Sequence, residues 1–481
     1  TYEITKYGQK EAEHRAGLRK QKLDELKQRI RYTYPDRTRE FRDSRELGEL
    51  VWQDMQAVID QLYPVATKPD PLQRDAFEHE QFAQSRSRVY IGREKYFQKL
   101  DDHAKGDGLP LVIVGDSGSG KSALLANWAL RYREKHPDEL VLMHFIGATA
   151  YSADWALMVR RIMAELQRAF KIEGEIPDKA DALRQAFANW LNMAAARGRV
   201  ILILDALNQL EDRDGAPDLV WLPPLIPPNV RLVLSTLPGR PFDDISKRAW
   251  PKLRIEPFTD AERQEFIEKY LTQYTKTLGA KQSARIIAAK QTANPLYLQA
   301  LLEELRLFGE HERLDERIDD YLRAPTIPDL YAKILARYEE DYQRDRPNLI
   351  EESFSLLWAA RRGLSEGELL ELLGTGGEPL PAAVWAPLYL AARHSLMSRA
   401  GLLGFSHDYF REAVRQRYLP TEAVRQAVHG RLAQYFSARE QGLRRIDELP
   451  WQLAQAEHWQ ELADLLTEPA YFKQAFNIRN L

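Results

Sequence analysis

The run Leu111-Val-Ile-Val-Gly-Asp-Ser-Gly-Ser-Gly-Lys-Ser122 carries residue types that bind phosphate. Gly115 to Ser122 fits the pattern G-x-x-x-x-G-K-[ST]. Gly115, Gly118 and Gly120 let the backbone turn inward. The N–H groups of the loop, with Asp116, Ser117 and Ser119 between the glycines, then point at anionic oxygens. Lys121 would reach β- and γ-phosphates, and the Ser122 hydroxyl is a hard oxygen ligand for Mg²⁺. The helix opening at Lys121, Ser122 and Ala123 adds the partial positive charge of its N-terminus. Gly115-Asp-Ser-Gly118 also resembles the segment around a serine-protease nucleophile. That reading leaves no place for Gly120-Lys121-Ser122 or for the helix after them.

Val200-Ile-Leu-Ile-Leu204-Asp205 is the second element the chemistry needs. A buried strand ending in an acid sets a carboxylate beside a phosphate loop, where it can hold Mg²⁺ through water. Both elements require strands fully covered on two faces. The pattern from Val89 to about Arg254 alternates strand and helix, as in a parallel α/β sheet. Strands are expected at 111–114, 141–146, 200–204 and 231–236. A helix at 155–170 carries Met158, Ile162, Met163, Leu166 and Phe170 on one side, as core residues. Beyond 258 the chain reads as helical, opened by the capping box Thr259-Asp-Ala-Glu262. Leu396-Met397 and Leu402 to Phe405 read as a strand pair turning at Ala400-Gly401. Helices followed by such a hairpin suggest a winged helix.

Before the α/β region lie two charged helices. The first, over 8–31, places Leu23, Leu26 and Ile30 at helical spacing, and its Arg and Lys residues alternate with acids as on a solvated face. The second follows the N-cap Asp43 with Glu46 three residues on, and carries the stripe Leu47, Val51, Met55, Val58 and Leu62. Pro64 ends it, and Pro69-Asp-Pro71 reads as a stiff linker.

With 481 residues, two to four domains are expected. Lys and Arg number 68 against 71 Asp and Glu, a net charge of −3, which argues against a general nucleic-acid binder. The absence of cysteine excludes disulfides, thiolate metal sites and cysteine nucleophiles, and fits a reducing, cytoplasmic setting. No apolar run is long enough to span a membrane, and no signal-peptide pattern opens the chain. The chain begins at Thr1 rather than Met, as a trimmed product would.

These stretches together resemble a STAND NTPase with a NACHT-type module, in the nephrocystin-3 and telomerase-protein-component-like branch. Tyr90-Ile-Gly-Arg-Glu94 resembles the family's entry motif near the adenine. Leu204 to Asp212 resembles its Walker B region. Val220 to Leu225 and Val230 to Pro238 resemble its next loop and sensor strand. Ala293-Asn-Pro-Leu-Tyr-Leu298 resembles the proline motif of its helical domain. Gly363 to Glu368 and Gly404 to Asp408 resemble its winged helix. The likeness runs over roughly 40–465, in order. Residues 1–63 resemble the end of a DUF4062-type domain, most of it absent, and Glu448 to Leu453 the entry to helical repeats.

The resemblance implies an α/β P-loop NTPase domain at 86–256 after a linker at 64–85. A helical domain (257–324), a winged helix (325–436) and the start of helical repeats (437–481) follow. It implies ATP or ADP with Mg²⁺ as ligands, and Ile91, Gly92 and Arg93 near the base. Pro295 would pack on the adenine and His407 would approach the β-phosphate. Ser235 and Thr236 could sense a γ-phosphate, as could Arg240. The family pattern Asp-x-x-Asp-Glu ends in an acid that polarises the attacking water, where this chain has Asn208 and Gln209. An amide orients water but does not accept its proton. The reading is therefore tight nucleotide binding with slow turnover, using Lys121, Asp205 and Gln209, unless Glu211 or Asp212 folds back to serve. The family logic adds a nucleotide-held closed state and homo-oligomerisation on opening. A protein trigger would be sensed by absent C-terminal repeats. The signalling role is antiviral defence or regulation if the source is bacterial. The rival reading is a nucleotide-stabilised protein-interaction scaffold without productive hydrolysis.

Overall fold

The computed structural model describes residues 9–35, 38–62, 70–87, 90, 93–149, 151–309, 311–344, 346–439, 442–471 and 473. They fall into two compact units, one up to Asp70 and one from Pro71.

The first unit contains helices α1 (Gln9–Thr33) and α2 (Ser44–Leu62). Asp43 caps α2 as expected, accepting from the Glu46 N–H at 2.9 Å, while Glu46 reaches back to the Arg42 N–H at 2.7 Å. The stripe Val51, Met55, Val58 and Leu62 is exposed, with Trp52 beside it.

The second unit opens with α3 (Pro71–Ser87), where a linker was expected. The helix was illegible because its inward face is polar. Asp75 and His79 point in beside Phe82 and Ala83, so no apolar stripe marks it. Next come α4 (Glu94–Lys105), β1 (Leu111–Val114), α5 (Lys121–Lys135), β2 (Leu140–Phe145), α6 (Trp155–Phe170), α7 (Ala180–Ala195), β3 (Val200–Asp205), β4 (Val230–Thr236), α8 (Arg240–Lys247) and β5 (Lys252–Arg254). The sheet is wholly parallel in the order β2-β3-β4-β1-β5. The strand period of two explains its burial. Ile201 and Ile203 turn to the layer of Trp128, Tyr132 and Phe145, whereas Leu202 and Leu204 turn to that of Ile162, Phe187 and Trp190. Only β5 escaped the sequence reading, because its three residues expose charged ends around a single buried Leu253.

The rest is helical apart from one small sheet. It comprises α9 (Asp260–Thr272), α10 (Ala280–Ala288), α11 (Pro295–Leu307), α12 (Leu314–Leu322), α13 (Ile327–Tyr342), α14 (Leu349–Ala359), β6 (Leu364–Ser365), α15 (Glu366–Leu373), α16 (Ala382–Ala392), β7 (Leu396–Arg399), β8 (Leu402–Phe405), α17 (Asp408–Tyr418), α18 (Glu422–Ser437), α19 (Leu443–Gln455) and α20 (Trp459–Thr467). The Thr259–Glu262 capping box forms at the start of α9. β7 and β8 pair antiparallel around Ala400 and Gly401, both left-handed as a two-residue hairpin turn requires, and β6 joins β8. One apolar cluster runs from Phe258 to Tyr471 across these helices. It crosses the expected boundaries at 324 and 436.

Candidate functional site

The register of the sheet assembles the phosphate loop. β1 ends at Val114 against Thr236 of β4 and Arg254 of β5, and β3 lies one strand beyond β4. The loop leaving β1 therefore faces the end of β3 across Ser235. Two glycines are needed for its shape. Gly118 is left-handed (φ +76°), and a Cβ there would lie 2.8 Å from the Leu296 Cβ. Gly120 (φ +92°) turns the chain into α5 with open space in front of it, which is where an anion would sit. The Ser119 hydroxyl is buried and has no partner. Lys121 Nζ donates to the carbonyls of Gly115 (2.8 Å) and Asp116 (2.9 Å), folded back on its own loop. Burial lowers its pKa, opposed by the charges of Asp205 and Asp116.

Asp205 is buried at the end of β3. Burial raises its pKa, while the Ser122 and Ser235 hydroxyls and Lys121 act against that shift. Ser235 donates to Asp205 and accepts from the Ala206 N–H at 2.9 Å. It thus serves the acid that the sequence placed beside it. Lys121, Ser122 and Asp205 converge, and the hard oxygens of Ser122 and Asp205 suit Mg²⁺. The orphaned Ser119 hydroxyl and the space before Gly120 fit a phosphate group.

The helical half closes on this loop through two residues that the sequence reading passed over. Asn294 caps α11 by accepting from Leu296 N (2.9 Å) and Tyr297 N (3.4 Å), and its Nδ2 donates to Ser117 O at 3.1 Å. The Leu296 N–H donates to Gly118 O at 3.3 Å. Pro295 stands between them as the first residue of α11, a position suited to a residue without an N–H. The signal was in the sequence: an N-cap Asn followed by Pro. His407 precedes α17 and lines a narrow cleft with Leu296, Glu303, Tyr331, His394 and Ser395. Burial holds its ring near pKa 3, helped by the charge of Arg86, so it is neutral.

The remaining candidates lie elsewhere. Ile91 and Gly92 fall outside the described residues. Arg93 is buried and joins Glu262 (Nε to Oε1, 3.1 Å), the Glu256 carbonyl (2.8 Å) and the faces of Tyr96 and Phe258. That side chain clamps the nucleotide-loop domain to the start of α9. Ala123 sits in the first turn of α5, where its carbonyl accepts from Asn127. Asn208 Oδ1 accepts from the Leu237 N–H at 3.2 Å. Gln209 is exposed, its Oε1 lying over Gly147. Arg240 pairs with Asp212 and Asp218 at the surface, and Glu211 pairs with Arg362 at 2.8 Å. Neither acid after Gln209 is therefore turned toward Asp205 as a spare base.

Asp75, His79 and His144 form the one group among the described residues with metal-like spacing. Its hydrogen bonds speak against a metal. His79 Nδ1 accepts from the Phe145 N–H at 3.1 Å, which puts its proton on Nε2. His144 Nε2 faces the Ser152 carbonyl at 2.8 Å, and its Nδ1 faces Arg161 at 3.0 Å. Arg161 already supplies the cation beside Asp75, at 3.3 Å. The cluster pins α3 to β2 and α6.

The NACHT domain family model matches residues 109–274. A TPR repeat-containing protein of Dictyostelium discoideum is 29% identical over 95% of this chain and 31% of its own length. Mouse nephrocystin-3 is 28% identical over 80% of this chain and 30% of its own. The chain thus spans about a third of these relatives. A solved Pyrococcus horikoshii signal-transduction ATPase with numerous domains and a tetratricopeptide repeat sensor is 14% identical, with a TM-score of 0.45, over 80% of this chain and 51% of that one. Among the described residues no helix is long and apolar enough to cross a membrane. With its phosphate loop on a parallel sheet and its acid one strand removed, the chain carries a NACHT domain and is a homologue of nephrocystin-3.

Proposed function

We propose that the chain is a slow ATPase switch, in which Mg-ADP or Mg-ATP holds the helical and hairpin regions against the phosphate loop. The observation that carries this is the contact of Asn294 and Leu296 with Ser117 and Gly118. Whatever occupies the loop bears on α11, and through Leu296 on the cleft of His407. Gly118, Gly120 and Lys121 would hold phosphates, and Ser122 with Asp205 would hold Mg²⁺, which neutralises phosphate charge when bound. Lys121 would exchange its two carbonyl partners for phosphate oxygens. Pro295 and His407 would lie on the base and β-phosphate sides of the closed state.

Asn208 and Gln209 cannot take the proton of an attacking water, so hydrolysis is slow and the ligand is retained. Release would open the domains, promote homo-oligomerisation and pass a protein-borne trigger to an effector. The setting is cytoplasmic signalling, with antiviral defence the form this takes in a bacterial host. The scaffold alternative draws support from one observation: Glu211 and Asp212 are both taken up by arginines.

Identification of the nucleotide that co-purifies, followed by single-turnover conversion of bound ATP, tests both. ADP retained through purification and slow single-turnover hydrolysis support the switch. Retained ATP that is never cleaved supports the scaffold. Unchanged ADP affinity in Lys121→Ala would remove the nucleotide assignment itself.

A further inference from the structure

Four successive carbonyls of the phosphate loop are hydrogen-bonded, and they fall into two pairs. Those of Gly115 and Asp116 accept from Lys121 Nζ at 2.8 and 2.9 Å. Those of Ser117 and Gly118 accept from the start of α11. Asn294 Nδ2 reaches Ser117 O at 3.1 Å, and the Leu296 N–H reaches Gly118 O at 3.3 Å. The first pair is given up when Lys121 turns to phosphate oxygens. The second comes from the helical half and does not depend on Lys121.

A peptide unit is planar and trans, so its N–H points opposite to its carbonyl. Turning the Ser117 carbonyl to Asn294 therefore turns the Gly118 N–H away from α11. The N–H of the next unit, that of Ser119, is spent inside the loop on Asp116 O at 3.2 Å. The Gly118 N–H is thus the donor whose direction Asn294 sets. Gly118 stands at φ +76°. Glycine takes either sign of φ about equally well, so the unit before Gly118 can flip over at little cost. The freedom that gives the loop its shape leaves this peptide plane without a local preference, and an outside group has to fix it.

Asn294 is itself held firmly. Its Oδ1 accepts from the Leu296 N–H (2.9 Å) and the Tyr297 N–H (3.4 Å), which leaves Nδ2 as the end that faces Ser117. Behind it Thr292 is fully buried, its hydroxyl 2.7 Å from the carbonyls of Ile286 and Ala289 and 3.2 Å from Arg263 Nη1. The Ala293 carbonyl accepts from the Phe258 N–H at 2.8 Å. The amide cannot follow the loop unless α9 and α10 move with it.

We propose that Asn294 is a positioning residue for phosphate binding, which fixes the Ser117–Gly118 peptide so that the Gly118 N–H is aimed at the β-phosphate of a bound nucleoside diphosphate. This rests on the reading of the loop as the nucleotide site, and names the side chain that couples that site to α11. The coupling is reciprocal. Whatever factor the α11 contact adds to β-phosphate affinity, a bound β-phosphate adds to the docking of α11. Asn294 is then at once a determinant of affinity and a catch of the closed state.

Asp and Ser cap a helix about as well as Asn. A carboxylate has no proton to donate, and a capping Ser is too short to reach Ser117. Affinities of the full chain for ADP and for AMP, which lacks the β-phosphate, are measured with Mg²⁺ by competition against a fluorescent ADP. Urea unfolding is followed alongside, for wild type, Asn294→Ser, Asn294→Asp and Lys121→Ala. Asn294→Ser and Asn294→Asp should unfold close to wild type yet bind ADP about three- to tenfold more weakly, the worth of one hydrogen bond, while AMP changes by less than about twofold. A residue that only caps α11 would leave ADP affinity at the wild-type value in both variants, and that result overturns the proposal. So does equal weakening of ADP and AMP. If Asn294→Ser does not fold, Asn294→Asp decides by the same criterion. Wild-type affinity in Lys121→Ala would instead overturn the nucleotide reading itself.

Discussion

Glu211 Oε1 lies 2.8 Å from Arg362 Nη1, which ties the loop following the buried acid Asp205 to the C-terminal helices. Arg362 also lies 3.5 Å from Asp447 of α19 and over the ring of Tyr151. Its side chain is only 13% exposed, so this is more than a solvated surface pair. Arg362→Ala should loosen the closed arrangement and speed nucleotide release by about three- to tenfold, the equivalent of ~1 kcal/mol. Stopped-flow release of a fluorescent ADP measures it. A release rate equal to wild type would show that the pair does not help hold the domains.

By resemblance, Gln209 stands in place of a water-polarising acid, and it is exposed with its amide over Gly147. Gln209→Glu restores a proton acceptor without changing side-chain length. Multiple-turnover hydrolysis should rise by about tenfold or more, within the usual range for a general base. A rate no higher than wild type would mean that the loop does not bring this position to the phosphates. Brisk turnover in the unaltered protein would sink the slow-switch reading before the variant is made.

Gly118→Ala probes the contact between the phosphate loop and α11. The new Cβ would meet Leu296 Cβ at 2.8 Å and Asn294 Oδ1 at 2.9 Å, on a left-handed backbone. Strain and the clash together should cost about 1–3 kcal/mol in urea unfolding. ADP affinity should fall as well, because α11 must move off the loop. Unchanged stability and unchanged affinity would mean that the loop and α11 part without consequence.

Acid should unfold the sheet domain through α3. Burial holds His79 near pKa 4, aided by the Arg161 charge and opposed by Asp75. His144 is also held well below its usual range, by burial and then by His79 and Arg161. Both are neutral when folded, and in the unfolded chain they protonate near pH 6.5. Their contribution is therefore complete above about pH 6.5 and is lost as pH falls toward 4, with His79 alone worth ~3 kcal/mol by then. Urea melts at pH 7, 5.5 and 4.5 should show this decline. His79→Asn should flatten it, and a wild-type stability that does not change across that range would refute the account.

The sequence alone determined the phosphate loop, the strand ending in Asp205 and four of the five strands of the parallel sheet. These are local signals: glycine spacing, aliphatic runs and a capping box whose partners lie within four residues. Resemblance extended the reading to Asn208, Gln209, Pro295 and His407. The tertiary structure decided what the local pattern could not carry. Helix α3 was illegible because its inward side chains, Asp75 and His79, are satisfied only by partners on β2, α6 and the loop between them. β5 was missed because a strand with one buried residue shows no period. Asn294 and Leu296 meet the phosphate loop and Glu211 meets Arg362, both across long stretches of chain. The physical reason is common to them. A charge or an amide reads as solvated until packing removes its water, and only the assembled fold shows which groups are left to find each other.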